Sequence, residues 1–222
     1  DFLQPDEAEE FFVNVYANHQ QRFELNIHTT QKFNDQWSTI FFLHGNKQVM
    51  KQDLNKDSFL DMPLKKQLTA MNRWKYQGEK LISQFGVRAM QENRQGGQIS
   101  FNYDHDFGTT NNYGMGISDK QLDVFAKNGI LFPEQPYKSI GIITSGRIHR
   151  LNSFYGLRKY EGEQKNLYAN IIYQSIISST LHTFKTGASY MLDDYDEMYS
   201  AYPSKDSSFK RTESVPGVFG EY

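Results

Sequence analysis

The chain has no cysteine among its 222 residues, which removes disulfides, thiol nucleophiles and cysteine-bound zinc from consideration. Such a composition suits a bacterial envelope or virion protein, where stray thiols are a liability. No apolar run approaches the roughly 20 residues that a membrane-spanning helix needs. Net charge is −2 and the pI is near 6.3, so no global field recruits nucleic acid or an anionic surface. No Asn-x-Ser/Thr sequon occurs despite abundant Asn, which disfavours a secreted eukaryotic glycoprotein. Phosphate-binding glycine motifs are missing too: Gly114-Met115-Gly116 lacks a third glycine, and Ser145-Gly146 has no nucleophile-elbow context. The chain opens on Asp1 without Met, which implies that upstream residues were cleaved, trimmed or omitted.

Aromatic residues are the excess. Seventeen Phe and fourteen Tyr lift the aromatic fraction to 15%, enough for a core built partly of rings or for a stacking or docking surface. Glu10–Tyr16 and Arg22–His28 read as strands, the second alternating cleanly, with Asn18-His19-Gln20 as the turn of a hairpin. Trp37–His44 reads as a strand buried on both faces. From Pro63 to about Asn93 the residues Leu64, Leu68, Met71, Trp74, Leu81, Ile82, Phe85 and Met90 follow helical spacing. Gln98–Tyr103 reads as a short strand, followed by a polar turn to Gly116. Ser118-Asp119-Lys120-Gln121 matches a capping box ahead of a second helix that stops at Asn128-Gly129. Ser139–Ser145 and Ile148–Tyr155 read as a hairpin about Gly146-Arg147. Lys165–Lys185 has the spacing of a third helix.

The last stretch, Ala188–Tyr222, is rich in Ser, Asp, Pro and Gly, yet Tyr190, Tyr195, Tyr199, Tyr202, Phe209 and Phe219 are threaded through it. An irregular segment orders only if burial offsets about 1–2 kcal/mol of backbone entropy per residue. These rings are therefore expected to dock on the domain itself or on a partner.

Among candidate sites, Asp104-His105-Asp106 offers three metal or acid–base ligands in a row, with His149 or His44 as possible additions from other strands. A solvated Asx-type turn accounts for the same residues without a function. Glu161-Gly162-Glu163 resembles the Glu-x-Glu of mono-ADP-ribosyltransferases, and Arg22 and Trp37-Ser38-Thr39 follow in that family's roles and order. The pattern departs from the family at Ile40, where a Ser is wanted. The most basic aromatic stretch holds Arg147, His149, Arg150, Tyr155, Arg158, Lys159 and Lys165, a surface for an acidic partner such as the run Asp193–Glu197.

These features imply an α+β fold, a mixed or antiparallel sheet with three helices. Residues 1–187 would form one domain and 188–222 an extended C-terminal arm. The expected function is non-enzymatic: a structural or binding subunit of a bacterial envelope, secretion or phage-type assembly, extracytoplasmic, without a cofactor. Its binding residues would be Arg147, His149, Arg150, Tyr155, Arg158, Lys159, Tyr195, Tyr199 and Phe219. A protein partner or self-association is expected, and nucleic acid is not. A metal-dependent hydrolase at Asp104/His105/Asp106 and a carbohydrate- or nucleic-acid-binding module are the alternatives.

Overall fold

The computed structural model describes residues 3–201 and 205–222. It is one ten-stranded antiparallel sheet in which every strand pairs with its sequence neighbours. The strands are β1 (Phe11–Ala17), β2 (Arg22–Lys32), β3 (Trp37–Gln48), β4 (Leu64–Gln77), β5 (Leu81–Gly97), β6 (Gly114–Leu131), β7 (Ser139–Tyr155), β8 (Arg158–Ile177), β9 (Ser179–Ala201) and β10 (Ser207–Glu221). A single helical turn, α1 (Tyr103–Asp106), interrupts the β5–β6 connection. The outer edges of β1 and β10 pair with no strand among the described residues.

The hairpin expected over Glu10–His28 is present as β1 and β2, and β3 begins at Trp37. The three expected helices are not. Pro63–Asn93 is the β4–β5 hairpin, turning at 78–80, where the Gly78 amide donates to the Leu81 carbonyl at 2.8 Å. Ser118–Gly129 lies inside β6, and Lys165–Lys185 spans β8 and β9 with Ser178 as the turn at φ 65°. The α+β assignment is thus replaced by an all-β sheet.

The error has a physical source. A four-residue step is even, so Leu64 and Leu68, or Ile172 and Ile176, satisfy a strand's period of two as well as a helix's 3.6. Only odd steps discriminate. Here they arose because half-buried apolar residues such as Met71 and Met90 also occupy the second face. Gly146-Arg147 is not a turn either: Ser139–Tyr155 is one continuous strand.

The residues expected to form an irregular arm are regular. Ala188–Ala201 continues β9, which crosses 187/188 without a break, and 207–221 form β10. Their rings stand on the ladder instead of anchoring a loop, Tyr195, Tyr199, Phe209 and Phe219 on one face and Tyr190 on the other. Tyr202 lies outside the described residues.

This sheet has almost no core. Ile40 and Phe101 are the only buried large apolar residues among those described. The accessible surface is 14584 Å², against about 10,500 Å² for a folded monomer of this mass. A soluble domain of this size does not ordinarily leave so much apolar surface uncovered.

Candidate functional site: a sheet with one apolar and one charged face

Register assigns every strand residue to a face. Phe23, Leu25 and Ile27 of β2 stand beside Phe41 and Leu43 of β3, then Ala70 and Leu68 of β4, Ala89, Val87 and Phe85 of β5, and Leu122, Val124 and Ala126 of β6. The stripe continues through Ile148, Ile142 and Ile140 of β7, Leu167, Ala169 and Ile171 of β8, and Leu192, Tyr190 and Ala188 of β9. Every exposed Phe, Leu, Val and Ile of β2–β7 lies on this face. Val124 is 51% and Leu167 53% exposed.

The stripe is a belt that occupies 37–45, 68–76, 81–89, 122–130, 140–148, 167–175 and 184–192 on seven successive strands. It steps by two residues between β4 and β5 and between β7 and β8, where Lys165 and Asp194 lie just above it beside Ile148. Nine residues extend about 27 Å along a strand, or about 20–22 Å once a barrel-like tilt of about 35–40° is applied. Within the belt this face carries no charged residue. At the same height Arg73, Lys75, Arg88, Asp123, Lys127, Arg147 and Lys185 all stand on the other face. Two pairs of polar side chains in the belt bond to each other: Ser83 donates to Asn128 at 2.7 Å, and Asn72 donates to Thr39 at 3.1 Å. That is how a polar group is tolerated where water is absent.

The opposite face is a charge ladder. Arg88, Asp123, Arg147, Asn166 and Asp193 are successive cross-strand neighbours on β5 to β9. Asp123 accepts from Arg88 Nε at 2.9 Å, Arg147 Nε at 2.6 Å and Gln121 Nε2 at 3.0 Å. Burial alone pushes the Asp123 carboxyl up, but these donors together outweigh it and hold it below the usual carboxylate value. Glu92 has the same balance, burial against Lys65 and Arg94, with the same net lowering. Arg73 is buried, and burial pulls its guanidinium below its ordinary value. It donates to Gln84 Oε1 at 2.6 Å and to the Leu3 carbonyl at 3.3 Å, so the segment ahead of β1 lies against this charged face.

The two ends of the strands differ. At one end the connections are short, spanning 33–36, 78–80, 132–138 and Ser178. Rings crowd this rim: Phe33 stacks on Trp74 at 5.4 Å, and Trp37 meets Tyr76 at 4.9 Å and Phe85 at 6.3 Å. The other end carries the two longest loops, 49–63 and 98–113, beside the short connections 18–21 and 156–157. There Phe101 covers the backbone of Gly114, whose missing Cβ would fall 2.4 Å from the ring. Phe107 packs on Phe154 at 5.0 Å.

The residues singled out from the sequence divide between the faces. Arg147, His149, Tyr155, Arg158, Tyr195, Tyr199 and Phe219 share the charged face, while Arg150 and Lys159 stand on the apolar one above the belt. They do not converge on a pocket, and the basic members find local partners. His149 Nε2 is 2.9 Å from Asp119, Arg150 pairs with Glu163, and Lys159 lies 4.6 Å over the Phe107 ring. Tyr195 accepts from Gln164 at 3.1 Å and is stacked by Arg211. In the acidic run, Asp196 pairs with Lys210 at 2.7 Å, and Glu197 accepts from the Tyr160 hydroxyl at 2.7 Å.

Asp104-His105-Asp106 forms α1 rather than an open turn. Asp106 is buried and accepts from the Asn102 amide at 2.8 Å and from Asn112 at 3.2 Å, which closes its loop. No group of three metal-ligating side chains occurs among the described residues. Glu161 and Glu163 lie six strands from Arg22, about 29 Å by strand spacing, so the transferase-like residues are not assembled. No known protein family, curated protein or solved structure matches the chain. No helix among the described residues is long and apolar enough to cross a membrane, a statement that does not bear on strands.

Sequence reasoning missed the belt and the ladder. Their signal was present as partial alternation over 81–89 and 122–130, broken at Ile82, Ser83, Phe125 and Asn128 and readable only when both are laid in register.

Proposed function

We propose that this sheet is a membrane-spanning wall of a β-barrel in the bacterial outer envelope, its charged face lining an aqueous lumen that handles polar solutes. The carrying observation is the segregation of charge: a nine-residue belt across seven strands has no charge on one face and seven on the other. Lipid demands this, because a charged side chain near the bilayer midplane costs about 2–4 kcal/mol. Water on both faces would not select it. Belt height, the aromatic rim, short connections at one end and long loops at the other fit the same architecture. The outer edges of β1 and β10 are open among the described residues, so on this reading copies of the chain close the barrel edge to edge and it exceeds ten strands. A barrel of that size leaves a lumen wider than side chains can fill.

The chain is a structural and binding component of the envelope on this reading, with no catalytic role. Its aromatic C-terminal residues contribute by strand pairing along β10. The test is reconstitution of the full chain into phosphatidylcholine vesicles. Flotation with the vesicles after high-pH carbonate, together with strands tilted about 35–45° by polarised infrared spectroscopy, is expected. Release by carbonate, or strands lying flat on the bilayer, would sink the proposal.

A further inference from the structure

On the apolar face, just above the belt on the long-loop side, like charges stand opposite one another. Lys47 pairs in register with Lys66, and Lys120 with Arg150. Such juxtapositions destabilise a sheet unless an anion sits between them. Arg150 takes Glu163, which also holds Lys165 at 2.9 Å. Lys47, Lys66 and Lys120 have no salt-bridge partner among the described residues, and Glu161 is the only other carboxylate on this part of the face from β3 to β8.

Directly beneath these cations runs a groove of about 450 Å³ floored by Leu68, Ala70, Ala89, Leu122 and Ile148 and rimmed by Lys120 and Arg150. Beyond it lies a basin of about 710 Å³ whose lining includes Lys47, Lys66, Asn93, Ser118, Asn152 and one carboxylate, Glu161, which forms no salt bridge with either lysine among the described residues. An apolar trough that ends in unneutralised ammonium groups matches one chemistry, an amphiphile with an anionic head.

We infer that this groove seats a membrane lipid whose phosphate headgroup carries net negative charge, in the leaflet on the long-loop side. Its acyl chain lies along Leu68 and Ile148, and its phosphate sits among Lys47, Lys66 and Lys120. Lys66 and Lys120 are two strands and one row apart, about 12 Å between backbones, a gap that two extended lysine side chains close around one phosphate. The inference rests on the membrane-wall reading and deepens it.

The test places the full chain in phosphatidylcholine bilayers doped with spin-labelled phosphatidic acid or spin-labelled phosphatidylcholine and measures the immobilised lipid fraction. Phosphatidic acid should be preferred by about fivefold per engaged cation. The triple variant Lys47→Gln, Lys66→Gln, Lys120→Gln should bring the preference close to parity, while Lys127→Gln on the charged face leaves it unchanged. Equal association of both lipids with the wild-type chain, or a preference that survives the triple variant, overturns the inference. So does a preference abolished by 10 mM inorganic phosphate (about that concentration suffices for a free-anion site), since a soluble anion would then be the occupant. Absence of any immobilised lipid, of either kind, would instead refute the membrane-wall reading beneath it.

Discussion

Val124→Arg places a guanidinium on the apolar face, half exposed, between Val87 of β5 and Gly146 of β7. The belt on β6 runs over 122–130, so position 124 lies two residues from its centre, about 5 Å along the membrane normal after tilt. Near the midplane an arginine costs about 2–4 kcal/mol, falling to about 0–1 at the interface; for this depth about 2–3 kcal/mol is expected. Ser118→Arg is the matched control. It sits on the same strand and face but about 20 Å from the belt centre, beyond the hydrocarbon, and should change stability by no more than about 0.5 kcal/mol. Guanidinium unfolding of the chain in vesicles, followed by the fluorescence of Trp37 and Trp74, reads both. Equal effects of the two substitutions, or a neutral Val124→Arg, would refute the assignment of this face to lipid.

Asp123→Asn removes the shared acceptor of Arg88 and Arg147 and should cost about 1–2 kcal/mol in the same unfolding assay. Because the Asp123 and Glu92 carboxyls are held below their ordinary values of 3.8 and 4.5, the stability they contribute is present above those values. It is lost as pH falls through their lowered folded values, so an acid titration should show weakening only below about pH 4. Tyr160, raised to about 12 first by its hydrogen bond to Glu197 and then by burial, should give a late step near that pH in an ultraviolet titration, and Tyr160→Phe should delete that step. Gly114→Val drives a side chain into the Phe101 ring and should expose loop 98–113 to protease while leaving the sheet's infrared amide band unchanged. Lipids brominated near the headgroup should quench Trp37 and Trp74 more strongly than lipids brominated at the chain terminus, as a rim position requires.

The parts legible from sequence were those where one strand carries the pattern by itself. Arg22–His28 alternates without interruption, and the β1–β2 hairpin followed from it. The later strands hide their period because the charged face also holds Met71, Met90, Phe125 and Ile172, and because the belt tolerates Asn72, Ser83 and Thr144. Single-strand signals of this kind are weak; they become strong only in register, where Val87 meets Val124 and Arg88 meets Asp123. The strand lengths deepened the confusion. A 20-residue strand such as β8 offers as many chance three- and four-residue spacings as a helix does. The basic aromatic stretch, read from the sequence as one surface, divides between the two faces at His149 and Arg150. That the two faces meet lipid and lumen could be argued only once their neighbours were known.

The most direct test is an accessibility scan over positions 119–130 of β6. The native chain has no cysteine, so single cysteines can be introduced and spin-labelled one at a time in vesicles. The account predicts that 122, 124 and 126 favour oxygen over a water-soluble nickel chelate, while 121, 123 and 127 favour the chelate, with a period of two. Uniform chelate access along the whole strand would contradict it.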